Sequence, residues 1–255
     1  SSNKLVVVPE AVDVDFFNPI NHQPLPSLMK LLQMKRVNTE SESKPYIFLS
    51  VFKWENRKNW QGLLKAYFQE FDRNENVVLV MKTSPFHNDR PIENDIDDYA
   101  KLIGVGDQHA PYLVYGRQLP LSELPSLYAS ADAFVLPSRG EGWGRPHAEA
   151  MSMGLPVIAT NWSGNTAFMN SSNSLPLPVE KLIYRKRGEN HMWAEPSVIE
   201  LQKLMRYCLN QPEEVKHLGK IGRKTMVEEY NPEVVGNIVL KELENIASEM
   251  RKKNE

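Results

Sequence analysis

The sequence predicts an α/β fold, a parallel sheet with helices on both faces. Three observations carry that reading. Short, continuous apolar runs of strand length recur along the chain, as strands buried on both faces require. Segments of helical spacing stand between them. One glycine-rich stretch, "RGEGWGRPHAEAMSMG" (139 to 154), lies between two such apolar runs and leads into a helix.

The elements follow in order. "NKLVVVPEAVDVDFFNP" reads as a short strand running into a turn-rich connector. The chain starts at Ser1 without a methionine, and the expectation is that it is cut from something longer. "NTESESK" (38 to 44) reads as a surface loop, so residues 1–45 are assigned to connector and loop. "YIFLSVF" (46 to 52) is the first buried strand. In "NWQGLLKAYFQEF", Leu63, Leu64, Tyr67, Phe68 and Phe71 fall on one side of a helix. "NVVLVMK" is a second strand, "IENDIDDYAKLIGV" a polar helix ending near Gly104, and "PYLVYG" a third strand. "LSELPSLYASA" is a short helix, "DAFVLPS" a fourth strand and "LPVIAT" a fifth. Between those two strands, "RPHAEAMSMG" has a proline near its start and Gly154 where a helix would end. "SNSLPLPV" reads as one more strand, and three long helical patterns follow "WAEPSV". The main domain is set at 46–230 and a C-terminal helix at 231–255. No internal repeat is found.

Composition removes several function classes. The 255 residues carry a net charge of -2, which gives no electrostatic reason for nucleic acid or an anionic membrane as partner. "YRKRG" (184 to 188) reads as a solvated loop. No apolar stretch approaches the roughly 20 residues of a membrane span, and no signal peptide is visible. The single cysteine, Cys208, sits in a helical pattern and reads as a core thiol, which suits a reducing compartment. The expected location is cytoplasmic, or the cytosolic face of a membrane through the rest of a longer chain. The sequons at Asn161 and Asn170 carry little weight.

Open parallel sheets bind ligands outside the carboxyl ends of their strands. Two segments of interest fall there. "KWENRKNW" follows the first strand and supplies the cations Lys53, Arg57 and Lys58. "RGEGWGRPHAEA" follows the fourth and supplies glycine amides, a helix start and the carboxylates Glu141 and Glu149. Glycine lets backbone approach a ligand, and free N–H groups at a helix start attract anions. Carboxylates beside phosphates make sense if they face hydroxyls. A ligand with both phosphates and hydroxyls is a nucleotide sugar.

"EGWGRPHAEAMSMGLPVIATNWSG" resembles the signature of the family 4 retaining glycosyltransferases, two glutamates with seven residues between them. "FLSVFKWENRKNW" resembles that family's first-strand motif, "VVVPEAVDVDFFNP" its interdomain connector, and "WAEPSVIELQKLMR" a helix start of some members. The resemblance implies a GT-B fold, with this chain as the C-terminal, donor-binding, Rossmann-like half. Its last helix would pack toward a missing N-terminal domain that holds the acceptor. It implies an enzyme of hexosyltransferase type that is inactive as an isolated domain. It also implies roles. Glu149 would accept bonds from the two ribose hydroxyls. Glu141 would contact the donor sugar. Lys53 and Lys58 would neutralise the diphosphate as leaving group. Gly142, Trp143, Gly144 and Arg145 would line sugar and phosphate, and His147 would either touch the donor or serve packing. Tyr115 and Arg117 are candidates beside the base. Many relatives carry arginine at the position of Lys53, and lysine lacks its planar fork. Trp143 either shapes the loop or touches sugar. Lys58 opens a helix, where the dipole disfavours a cation, and that cost points to function. Trp54 and Trp60 read as core.

Neither cofactor nor metal is expected beyond a UDP- or GDP-sugar donor as substrate. "DVD" (13 to 15) and "DID" (95 to 97) mimic a metal-binding aspartate motif, but stand in the connector and in a far-side helix. The alternative function is a non-catalytic nucleotide-sugar-binding module of a split or inactive enzyme. A dinucleotide oxidoreductase would need G-x-G-x-x-G after the first strand, and none is there.

Overall fold

The computed structural model describes residues 5–34, 44–85, 90–184 and 192–254. Six parallel strands form one sheet in the order β3-β2-β1-β4-β5-β6. They are β1 (Tyr46–Val51), β2 (Val77–Lys82), β3 (Tyr112–Val114), β4 (Ala133–Leu136), β5 (Val157–Thr160) and β6 (Leu175–Leu177). β1 pairs with β2 over its whole length, from Tyr46 opposite Val77 to Val51 opposite Lys82. It pairs with β4 through Phe48 and Leu49. The inner strands are buried on both faces, so they read as unbroken apolar runs rather than alternating ones.

The helices flanking the sheet are α2 (Trp60–Glu70), α3 (Ile92–Leu102), α4 (Leu124–Ala129), α5 (Arg145–Ser152), α6 (Val198–Asn210) and α7 (Pro212–Glu229). α2 packs on α6, and α5 on α7. The five apolar residues expected on one side of α2, Leu63 to Phe71, are all buried. Cys208 is a buried free thiol in α6. A long last helix, α8 (Pro232–Asn254), leaves Leu240, Leu243, Ile246 and Met250 exposed.

Three segments differ from the sequence reading. Leu5 and Val7 are exposed and join no strand. Within the stretch assigned to connector and loop, Pro26–Met34 forms a helix, α1, which buries Leu28 and Leu32. Its docking is tertiary. Leu25 N–H donates to Ser126 O at 3.1 Å and to Ser130 Oγ at 2.8 Å, over a hundred positions away. Third, a hairpin that the sequence reading lacks precedes the expected helix: β8 (Met192–Pro196), which ends in "WAEP", pairs antiparallel with β7 (Val179–Tyr184). α6 begins after Ser197, whose hydroxyl accepts from Glu200 N–H at 3.3 Å as its cap. Most of "NTESESK" and of "YRKRG" lies outside the described residues.

The connector from Ala11 to Phe17 is strapped to this domain. Val12, Val14 and Phe17 are buried, and Val12 N–H donates to Tyr230 O at 2.9 Å. The Arg223 guanidinium donates to Phe17 O at 2.9 Å and also to Ser152 O at the end of α5.

Candidate functional site

Strand order reverses between β1 and β4, and open α/β sheets have their ligand crevice at such a switch point. The two segments singled out in the sequence leave these two strands. The turn after β1 is held by aromatic packing. Trp54 stacks on Phe52 and on Trp60, with centroids 5.8 and 4.5 Å apart, and its indole N–H donates to Asp95 at 3.0 Å. The core reading of Trp54 and Trp60 therefore has a positioning consequence. The chain then makes a 3₁₀ turn over Asn56–Lys58, and Asn59 caps α2 by accepting from Gly62 N–H at 3.3 Å. Lys58 precedes the helix and is buried.

The loop after β4 is held by β5's exit. Glu141 N–H donates to Ser163 Oγ at 2.8 Å, and Gly164 N–H donates to Glu141 O at 3.0 Å. A Cβ at Gly164 would lie 2.0 Å from Gly142 O, so only glycine allows this approach. Gly144 opens α5 with φ +106°, a conformation that side chains disfavour, and Pro146 fills the first turn.

Those two loops meet in an ion cluster. The Lys58 ammonium donates to both Glu141 oxygens, at 2.7 and 2.9 Å. Arg57 donates to Glu141 at 3.0 Å, to Gly140 O at 2.7 Å and to Glu55 at 2.7 Å. Side-chain exposure is 9% for Lys58 and 6% for Glu141. Burial works against charge on Glu141, but His147, Lys58 and Arg57 outweigh it and hold its pKa below the ordinary value. Arg139 adds a second clamp, its N–H donating to Arg57 O at 2.7 Å and its guanidinium gripping Glu195 at 3.0 Å on both oxygens.

Glu149 has a different setting. It lies half-buried on α5 and accepts one bond at 2.7 Å from the hydroxyl of the fully buried Tyr128. Burial raises its pKa, against the lowering effects of that bond and of Arg145. His147, two residues earlier and fully buried, packs edge-on to Phe134 with centroids 5.6 Å apart. Burial pushes its pKa down, against the raising effect of the Glu141 carboxylate.

Two cavities adjoin at Leu121, which lines both. The smaller, of about 280 Å³, is walled by Phe16, Phe17, Trp143, Arg145 and Glu149. The larger, of about 820 Å³, lies over the carboxyl ends of β1 and β2 and carries Lys53, Arg57, Lys58 and Lys82.

The family model described as "Glycosyl transferases group 1" matches residues 33–225, well over half of the chain. The chain belongs to this family. Among curated relatives it is 38% identical over 107 residues to the O-antigen chain mannosyltransferase B of Escherichia coli, across 42% of this chain and 26% of that protein. It is similar in structure to Anabaena Alr3699/HepE, solved in complex with UDP and glucose, with TM-score 0.68, 16% identity, and coverage of 94% of this chain and 57% of that one. It is also similar to the C-terminal domain of the group 1 glycosyl transferase LpcC from Francisella tularensis, with TM-score 0.61, 17% identity, and coverage of 87% of this chain and 99% of that one. At such identities the structural likenesses show fold alone. The chain thus spans well under two thirds of the mannosyltransferase and of the Anabaena protein.

In this group 1 domain, the structure brings Glu141, Lys58, Gly142, Gly144 and Glu149 together around one loop and helix start. Lys53 is exposed on the wall of the larger cavity, while Trp143 and the exposed Arg145 wall the smaller. Trp143 also packs on Phe168 and Tyr230, 5.1 and 5.8 Å away. Tyr115 is buried, with its hydroxyl 3.0 Å from Ser27 Oγ, and lines neither cavity. Arg117 is exposed and lines neither, although its neighbours Gly116 and Gln118 line the larger one. The aspartates of "DVD" and "DID" serve local structure. Asp13 accepts from Asp15 and Phe16 N–H, and Asp95 from Trp54 and Arg90. Among the described residues, no group of three His, Cys, Asp or Glu is placed to hold a metal ion, and no helix is long and apolar enough to cross a membrane. Sequence reading missed Tyr128 and the β2 terminus with Lys82. Only the second had a signal, a lysine closing an apolar strand.

Proposed function

We propose that the chain is the donor-binding, C-terminal half of a family 4 retaining glycosyltransferase of GT-B fold, and that a nucleoside diphosphate sugar, such as a UDP- or GDP-sugar, lies along the two adjoining cavities. The observation that carries this is the division of charge across the switch point. Cations wall the larger cavity, and a half-buried carboxylate with one tyrosine partner faces the smaller. Glu149 would accept from the ribose hydroxyls. Lys53 and Lys58 would meet the diphosphate, with the loop amides of Gly142, Trp143 and Gly144 beside it. Glu141, held by Lys58 and Arg57, would present an oxygen to the sugar. Tyr115 and Arg117 would act only through the loop that follows β3, which adjoins the base. His147 would support the loop from beneath.

The likeness to an isolated C-terminal domain, and to just over half of a protein crystallised with UDP and glucose, supports this reading. Transfer would proceed by positioning and charge stabilisation. Glu141 and Glu149 would bind donor hydroxyls and would not form an acid and nucleophile pair. No metal is required. The acceptor belongs to an N-terminal half outside this chain, so the isolated domain binds nucleotide and transfers little.

Calorimetric titration of the chain with UDP, GDP and ADP, beside Glu149→Ala, tests this. One nucleotide should bind, and the variant should weaken it roughly ten- to a hundredfold, as loss of a bond to a charged group implies. Absence of binding at millimolar nucleotide would refute the donor-site reading for this chain.

A further inference from the structure

Four cationic side chains line the larger cavity, Lys53, Arg57, Lys58 and Lys82. Lys58 holds both oxygens of Glu141, while Arg57 is shared between Glu141 and Glu55. Two cations against two carboxylates leave that part of the wall with no net charge. A diphosphate arriving there meets a neutral cluster.

Lys82 is placed differently. It closes β2 opposite Val51, and its carbonyl accepts Phe52 N–H at 3.1 Å, which fixes its backbone beside the first-strand loop. Its ammonium makes no ion pair or side-chain hydrogen bond with another described residue. Burial lowers its pKa. The next residue, Thr83, is 2% exposed, and its hydroxyl has no partner among the described residues. Thr83 and the exposed Ser84 line the same wall. A partly desolvated cation and an unpaired hydroxyl each cost free energy that an anionic oxygen ligand would offset.

We propose that Lys82, with the hydroxyls of Thr83 and Ser84, is a further contact for the donor's diphosphate. The inference rests on the donor-site reading and adds to it a phosphate contact on β2, outside the first-strand motif.

The probe is inorganic pyrophosphate, titrated into the chain beside UDP and GDP, with Lys82→Met, Lys82→Arg and Glu149→Ala. Methionine keeps the stem and removes the charge, and Lys82→Gln replaces it as the neutral variant if the melting temperature falls. Lys82→Met should weaken pyrophosphate about tenfold or more, as loss of a charge-assisted contact implies. Lys82→Arg should restore most of the affinity, and Glu149→Ala should leave pyrophosphate unchanged. Failure of the wild type to bind pyrophosphate, or equal binding by the neutral variant, overturns the assignment. Pyrophosphate binding that ignores Lys82, beside nucleotide binding that needs Glu149, removes this contact and leaves the donor site. Pyrophosphate binding through Lys82 without nucleotide binding does the reverse.

Discussion

Glu141 and Glu149 stand on one loop and helix, yet their surroundings differ in every respect that sets a carboxylate's behaviour. Glu141 is nearly sealed, gripped by an ammonium and a guanidinium, and held ionised. Glu149 is half-buried with one tyrosine hydroxyl, and its pKa is raised. The first accepts three bonds from the protein. The second has acceptor capacity to spare, since an ionised carboxylate offers about four lone-pair sites. The lesson is that an identical residue type in one motif does two jobs. Glu141 ties the loop after β4 to the turn after β1, and Glu149 faces the smaller cavity.

The largest effect should come from breaking the sealed side. Glu141→Ala leaves Lys58 buried beside Arg57 without a counterion, which should cost about 3–5 kcal/mol of stability. Chemical denaturation measures it, and a loss as small as that of an exposed pair would mean the cluster is open to water. Next comes the loop's backbone contact. Gly164→Ala places a methyl group against Gly142 O, and overpacking against backbone should cost up to about 3 kcal/mol. Its nucleotide affinity should fall as well, because the displaced loop carries Glu141. Unchanged binding at a lowered melting temperature would separate the loop from the site.

Tyr128→Phe probes the open side. It removes the one described partner of Glu149, for about 1 kcal/mol of stability, while nucleotide binding changes little. A binding loss as large as that of Glu149→Ala would recast Tyr128 as the essential group. The smallest effect is in pH dependence, where the two carboxylates should oppose each other. Glu141 has a lowered folded pKa, so its contribution is present above its unfolded pKa and is lost as pH falls through the folded one. Glu149 has a raised folded pKa, so its contribution is present below its unfolded pKa and is lost as pH rises through the folded one. Melting curves from about pH 3 to 7 should show Glu141→Gln losing ground to wild type as pH rises and Glu149→Gln gaining it. Slopes of the same sign would end the contrast.

Much of this was legible in the sequence. The five strands 46–52 to 155–160 and their helices were readable because doubly buried strands leave unbroken apolar runs. The two ligand loops followed from where those runs stop. α1 was not legible, because its hold on Ser126 and Ser130 depends on contacts a hundred residues apart. The β7–β8 hairpin was not legible, because β7 is mostly exposed and leaves no unbroken apolar run. At the site, the residue types were readable but not their pairing. Lys58 read as a phosphate ligand, and nothing along the chain showed that its ammonium points at Glu141. Lys82 was hidden for a similar reason. Its place beside the first-strand loop follows from β2 pairing with β1, a fact of topology.

The most direct measurement compares the nucleotide that binds with its 2′,3′-dideoxy analogue, on wild type and on Glu149→Ala. If Glu149 receives the ribose hydroxyls, the analogue should bind wild type roughly ten- to a hundredfold more weakly and the variant no more weakly than the parent nucleotide. Equal affinity of both ligands for wild type, or the same loss in the variant, would contradict the placement of the ribose on Glu149.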